Sequence, residues 1–380
     1  METPSDRKSD SAGTTDRGAS RGNDGSRHPF APTSNGVGAS SAETGLHGWS
    51  SALNLMLWGQ DQVERTTRIW FDQAYISTKQ STPASSDVVI EERQVQVGAL
   101  TAQYLTAGEG PPLVLLHGDG HSARSWLWAM PALAREHRVY APFLPGFGIT
   151  PNPADYSPTF FAGFVREFLD TLGIEQATVV GNSYGGLVAL HLALSNPQRV
   201  MALGLVDSAG LGREINAALA ALALPGLGQT AINLTRTPVG TAQRVWLYVT
   251  LQFWRSERVP KEWLEEQYEV PMVPGFLEAT VGVKQAVLGP IGQLDVLLDE
   301  VPRLTMPTLV MWGVNDLVFP VHHAHAAVAR LPKGQLALIP DCGHLPHLER
   351  PDRFVAALGE FLAEHGLGAE SRQPDVRKRT

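Results

Sequence analysis

From residue 88 onward, short apolar runs alternate with amphipathic stretches. Val88–Val97 and Leu100–Thr106 predict two strands that lead into the turn Gly108-Glu-Gly-Pro-Pro112. Leu113–Leu116 predicts a short apolar strand ending in His117-Gly118-Asp119-Gly120. A helical stretch near Ser125–Arg135, a strand at Val139–Ala141 and the loop Leu144-Pro-Gly-Phe-Gly148 come next. Phe160, Phe164, Phe168 and Leu172 recur every fourth residue, which predicts a helix over Thr159–Leu172. Ala177–Val180 predicts a strand, followed by Gly181-Asn-Ser-Tyr-Gly-Gly186 and a helix through Leu194. Val200–Val206, Thr308–Trp312 and Gln335–Ile339 predict further strands, and Phe354–Glu364 a closing helix. Apolar strands buried on both faces, alternating with amphipathic helices, imply an α/β fold with a mostly parallel central sheet and helices on either side.

Two stretches depart from this rhythm. Between Leu211 and Val301 no clear strand pairs occur, and Trp246, Phe253, Trp254 and Trp263 stand among several Pro and Gly. Inserted between sheet strands, residues 211–301 predict a helical cap that divides the core into residues 88–210 and 302–366. Residues 1–45 and 367–380 are too poor in apolar side chains to offset the entropy of ordering and read as disordered tails. Residues 46–80 change character: Leu53, Leu55, Met56, Leu57, Val63, Ile69, Trp70 and Phe71 recur at roughly helical spacing. This amphipathic extension is expected to pack on the domain. Contact with a second copy through residues 49–78, or docking on a partner or membrane face, stays open.

Composition narrows the function classes. With 43% hydrophobic and 18% charged residues the chain can bury a real core. A formal net charge of -8 argues against a nucleic-acid surface, which needs clustered Lys and Arg. Cys342 is the single cysteine, so neither an internal disulfide nor a CxxC metal or redox motif exists. The first 30 residues hold no apolar core of a secretory signal, and no apolar run is long enough to span a bilayer. A cytoplasmic protein with a small-molecule substrate is expected. With no GxGxxG, no P-loop and no metal-ligand set, no cofactor is expected.

The chemistry concentrates at Gly181-Asn182-Ser183-Tyr184-Gly185, a G-x-S-x-G placed after a strand and before a helix. In that context Ser183 sits on a sharp turn with its hydroxyl exposed, and small flanking residues let strand and helix approach. A hydroxyl needs a base to become a nucleophile. Of twelve histidines, His28 and His47 lie in or beside the N-terminal tail, and His191 falls two turns into a helix. His322, His323 and His325 open a helix with no carboxylate or cysteine at metal-ligand spacing, so they read as a solvated face. His344 stands in the loop Asp341-Cys-Gly-His344 after the last strand, where ligands gather in open α/β sheets. Asp316, after Thr308–Trp312, supplies the acid between them in chain order, with Asp207 as its rival. Backbone N–H groups of Tyr184 and Asp119 are expected to form an oxyanion hole. His117, Gly118, Gly120 and Asn182 support these loops, His117 in a purely structural role.

Five segments in order carry a resemblance: Leu115-Leu-His-Gly118, Leu144-Pro-Gly-Phe-Gly148, Val180-Gly-Asn-Ser-Tyr-Gly-Gly186, Trp312-Gly-Val-Asn-Asp316 and Asp341-Cys-Gly-His-Leu-Pro-His-Leu-Glu-Arg-Pro351. Over about Val95–Leu362 the chain resembles the α/β-hydrolase superfamily and its cap-bearing members. The likeness implies the triad Ser183, Asp316 and His344 and a cofactor-independent serine hydrolase. Haloalkane dehalogenases and epoxide hydrolases of the fold carry an aspartate where Ser183 stands, so serine points to acyl chemistry. Asn182-Ser183 is similar to hydrolases that split carbon–carbon bonds in ring-cleavage products. Those proteins usually place a tryptophan where Leu345 stands, and a Gly-Pro-Gly-Ala-Ser segment where this chain has Asp119-Gly-His-Ser-Ala. Phe143 also stands where an aspartate is frequent before Leu-Pro-Gly-Phe-Gly. The leading expectation is therefore hydrolysis of a small or medium apolar ester, thioester or lactone. The alternatives are carbon–carbon hydrolysis, acyl transfer or perhydrolysis, and a ligand receptor on the same fold.

Overall fold

The computed structural model describes residues 88–368. The expectations for residues 1–45, 46–80 and the end of the C-terminal tail lie outside that range. Leu367, placed in the tail by composition, is instead ordered: its N–H donates to Leu362 and its carbonyl accepts from His137 Nε2 at 3.2 Å. Its side chain packs beside the apolar face of the last helix, which composition alone does not reveal.

Eight strands form one sheet in the order β1 (Glu91–Val97), β2 (Leu100–Ala107), β4 (Arg138–Pro142), β3 (Pro112–Leu116), β5 (Ala177–Asn182), β6 (Val200–Val206), β9 (Thr308–Gly313) and β10 (Gly334–Ile339). The pairs β1/β2 and β2/β4 are antiparallel, and the rest are parallel. Period-two alternation divides the strand side chains between two cores. Val114, Leu116, Val179, Leu203, Leu205 and Val310 face helices α1 (Pro158–Thr171) and α2 (Tyr184–Ser195). Leu113, Leu115, Val180, Val206, Leu309 and Met311 face Trp126, Met130 and the closing helix. β5 and β9 are buried along their whole length, as a central parallel strand must be.

In α1 the buried stripe is Phe161, Phe164, Val165, Phe168 and Leu169, while Phe160 and Leu172 lie half-buried at its edge. The expected helix near Ser125–Arg135 is two short pieces, a 3-10 turn at Ala123–Trp126 and a single turn at Met130–Leu133. Pro131 opens the second piece and, lacking an N–H, cannot continue a helix begun before it.

Residues 211–301 are largely helical: α3 (Ala217–Ala221), α4 (Leu227–Thr235), α5 (Pro238–Gln252), α6 (Lys261–Glu269) and α7 (Phe276–Val287). The Thr237 hydroxyl caps α5 by accepting from Gly240 N–H, with Pro238 in the first turn. Contrary to expectation, the insertion holds a strand pair. β7 (Leu288–Gly289) and β8 (Gly292–Gln293) pair antiparallel around a turn too short to show in the hydrophobic pattern. The chain returns to the sheet at β9 and continues through α8 (His322–Val328) and β10 to α9 (Pro351–Glu364), the last helix among the described residues. Among the described residues no helix is long and apolar enough to cross a membrane.

Candidate active site

Ser183 joins β5 to α2 at φ 55 and ψ -119, a conformation that a residue with a side chain rarely adopts. Its surroundings hold it there. A Cβ on Gly181 would lie 2.2 Å from the Gly185 carbonyl oxygen, and one on Gly185 would lie 2.3 Å from that of Leu116. Strand, turn and helix therefore approach as closely as they do only because glycine stands on either side of the serine. Gly118 also passes close, though less so, a Cβ there lying 3.1 Å from that of Ser183.

His344 is buried and faces the same cavity as Ser183. Its Nδ1 donates to Asp316 Oδ2 at 2.9 Å, and the Phe319 ring meets the imidazole edge to face. The other oxygen of Asp316, Oδ1, accepts from Val318 and Phe319 N–H at 2.7 and 3.3 Å. The histidine backbone is fixed from both sides of the molecule. Its N–H donates to the Gln252 carbonyl at the end of α5, and its carbonyl accepts from Asn182 Nδ2. Buried Glu349 accepts from Gly343, Trp254 and Arg255 N–H, which ties the histidine loop to the insertion a second time.

Asp207, the rival acid, does not reach the imidazole as a hydrogen-bond partner. Its Oδ1 accepts from Gly313 N–H at 2.8 Å, although its carboxyl lies beside that of Asp316. Asp341 is drawn outward by Arg255 and Arg258, whose hydrogen bonds hold its carboxyl down at about 2.

His117 holds the loops around the serine. Its Nδ1 donates to Gly118 O at 2.9 Å, while Nε2 accepts from Leu144 N–H at 3.0 Å. Burial lowers its pKa to about 4, in keeping with a neutral ring. Gly118 to His121 form a turn, with Gly120 at φ 73 against the Tyr248 hydroxyl. Asp119 and Tyr184 both line the cavity beside Ser183.

Two wall residues escaped the sequence reading. Lys284 on α7 is buried and paired with Asp119. Burial pulls its pKa down, but Asp119 outweighs that and holds the ammonium charged. The signal was present, since Phe276, Thr280 and Lys284 follow one another every four residues on the buried face of α7. His121 is wedged between Gln252 Oε1 at 2.9 Å and the Trp263 ring, with its pKa driven well down by burial.

The remaining wall is mostly apolar, with Leu219, Val283, Val287, Leu288 and Phe319 beside the polar Tyr248 and Gln293, around a cavity of about 590 Å³ that includes its open mouth. The tryptophans of the insertion sit elsewhere: Trp246 and Trp254 are exposed, and Trp263 stands behind His121. Arg236, Arg255 and Arg258 are each engaged by a carboxylate outside the cavity. Arg244 donates to Gln267 and to the Gly120 carbonyl.

Of the histidines of α8, His322 and His325 are exposed as expected, and His323 is not. His323 is buried rather than solvated, and Glu214, 109 residues earlier, places its carboxylate against His323 at 2.8 Å and His322 at 3.4 Å. Sequence spacing could not show a partner brought in from the start of the insertion. Glu214, His322 and His323 form one set of donor atoms within 4.8 Å of one another, and Asp207, Asp316 and His344 form a second.

The sheet order, the strained serine turn and the histidine–carboxylate pair together define a hydrolase of the α/β class. The chain belongs to the alpha/beta hydrolase fold family, whose model it matches over residues 111–351. It is 34% identical over 264 residues to an uncharacterized protein of Mycobacterium tuberculosis, covering 67% of this chain and 76% of that one. A 2-hydroxymuconate semialdehyde hydrolase of Pseudomonas sp. strain CF600 is 30% identical over 290 residues, 73% of this chain and 96% of that one. Among solved structures, the 2-hydroxy-6-oxo-6-phenylhexa-2,4-dienoate hydrolase of Rhodococcus sp. strain RHA1 is similar with a TM-score of 0.62 and 27% identity, over 73% of this chain and 99% of that one.

Proposed function

We propose that the protein is a serine hydrolase that cleaves a small or medium apolar carboxylic ester, thioester or lactone through an acyl-enzyme. The observation that carries this reading is one cavity lined by both Ser183, on its strained turn, and His344, whose Nδ1 is held by Asp316 at 2.9 Å. With Nδ1 bonded to Asp316, Nε2 is left to accept the serine proton as Oγ attacks the carbonyl. The same proton passes to the departing alkoxide, and water then releases the acid by the reverse sequence. Backbone N–H groups of Tyr184 and Asp119 bind the oxyanion, helped by the positive end of α2. The aliphatic wall favours apolar acyl groups by roughly 0.8 kcal/mol per buried methylene.

Carbon–carbon hydrolysis is the second reading, favoured by the similarity to the 2-hydroxymuconate semialdehyde hydrolase. One experiment separates the two. On a series of p-nitrophenyl esters, kcat/KM climbs over the first few methylenes and then falls, and Ser183→Ala removes both turnover and labelling by a fluorophosphonate. A flat ester profile together with rapid cleavage of a dienoate ring-cleavage product establishes the second reading instead. Absence of both activities and of labelling leaves a ligand receptor.

A further inference from the structure

Asp207 and Asp316 follow adjacent sheet strands and meet rather than compete. Asp207 follows β6 at φ 43 and is fully buried, as is the side chain of Asp316. Oxygens of both carboxyls and a nitrogen of His344 lie within 4.8 Å of one another. Asp207 Oδ1 is satisfied by Gly313 N–H, but Oδ2 is buried and finds no donor among the described residues. Glu349 also acts on Asp207, as a further anion, and the imidazole of His344 is the ring nearest the pair.

Two carboxylates buried this close do not both stay ionised beside a neutral His344, because like charges this near repel and burial disfavours each. The count of donors decides which one keeps a proton. Asp316 accepts three hydrogen bonds, from Val318, Phe319 and His344, whereas Asp207 accepts one, from Gly313. We propose that Asp207 is a carboxylic acid whose Oδ2–H donates to the Asp316 carboxylate, making it a positioning residue behind the acid of the triad. This inference rests on the hydrolytic reading for its catalytic meaning, but the proton itself does not. Burial and the neighbouring Asp316 push the Asp207 carboxyl well above the usual range.

The arrangement has two effects. It gives Asp316 a side-chain donor in addition to the two backbone N–H groups and the imidazole. It also leaves one negative charge beside His344 instead of two. A second anion would favour the imidazolium, which cannot accept the serine proton. The Asp207 proton stays in place throughout turnover, since Asp316 only stabilises the imidazolium and is not itself protonated.

The test uses protein made with aspartate isotopically labelled at its side-chain carboxyl carbon and followed by NMR. The Asp207 signal, assigned by its absence in Asp207→Asn, is expected at the protonated position and without titration between about pH 5 and 9. A signal at the carboxylate position in that range overturns the proposal, whether or not Ser183 hydrolyses anything. Should Asp207→Asn not fold, labelled Asp119→Asn removes the half-buried aspartate paired with Lys284; a protonated signal that survives there supports the assignment to the Asp207–Asp316 pair, and its loss overturns it.

Labelling of Ser183 by the fluorophosphonate as a function of pH supplies the functional arm. Asp207→Ala, which lacks the donor, slows labelling roughly tenfold, and Asp207→Asn recovers most of that loss because its amide can donate in place of the acid. The acid limb of the profile stays in place in Asp207→Asn, since a neutral group replaces a neutral group. A limb displaced toward lower pH by about one unit or more shows that the wild-type residue was charged, and refutes the proposal. Loss of all labelling in wild type refutes the hydrolytic reading alone.

Discussion

The side-chain amide of Asn182 donates to the backbone carbonyl of His344 at 3.1 Å, linking the residue before the serine to the histidine across 162 positions of sequence. The same nitrogen donates to Val206 O at 3.2 Å. Replacing Asn182 by Leu takes the side-chain donor from the buried His344 carbonyl, at a cost of about 1–3 kcal/mol, whereas Val206 O still accepts from Ser183 N–H at 2.9 Å. We expect a lower urea midpoint, and a fall in kcat larger than any rise in KM because the histidine loop loses its anchor. A variant with unchanged midpoint and unchanged kcat contradicts the anchoring role.

Ser183 occupies φ 55, where glycine carries no penalty. Ser183→Gly is therefore expected to raise unfolding free energy by about 1 kcal/mol relative to Ser183→Ala, while both abolish turnover. Thermal melts of the two variants decide the matter. Equal melting temperatures would mean that the turn stores no strain.

Stability should fall with acid through His117. Its folded pKa is about 4 against an ordinary value of 6.5, so the unfolded chain binds more protons between those limits. Stability therefore rises with pH across that window and is lost as pH falls through it, by about 3 kcal/mol from this group. Protonation would also cost the hydrogen bond that Nε2 accepts from Leu144 N–H. Urea titrations near the two ends of the window should show a smaller difference in His117→Asn than in wild type.

Lys284→Met strands Asp119 as a buried carboxylate facing an apolar chain. Breaking a buried pair from one side typically costs about 3–5 kcal/mol. Adding Asp119→Asn should restore most of that loss, because the charge left behind is removed as well. A double-mutant cycle in which the two losses simply add would show that the pair carries no coupling.

Much of this site is written locally. Gly181, Ser183 and Gly185 announce the turn, because only that spacing of small residues lets β5 and α2 close on a serine. Apolar runs such as Leu113–Leu116 and Val200–Val206 announce buried parallel strands, and His344 and Asp316 follow from their places after strands. What local pattern cannot show is a partner delivered by the insertion. Lys284 for Asp119, Glu214 for His322 and His323, and Gln252 for His344 meet only after the chain has folded back on itself. The neighbours Asp207 and Asp316 are a related case. Each occupies an eligible position, and sequence order alone treats as alternatives two side chains that the adjacent strands β6 and β9 place together.

The three N–H groups gathered by Glu349 bear on how this protein can be re-engineered. Two of them, from Trp254 and Arg255, belong to the insertion, while the third, from Gly343, belongs to the loop that carries His344. Residues 211–301 are thus not an interchangeable module. A chimera that grafts another family member's insertion onto this core must preserve backbone at 254 and 255 that meets Glu349, together with the Gln252 carbonyl. A transplant that ignores those few atoms would leave a buried carboxyl short of two of its three donors, five residues from the histidine.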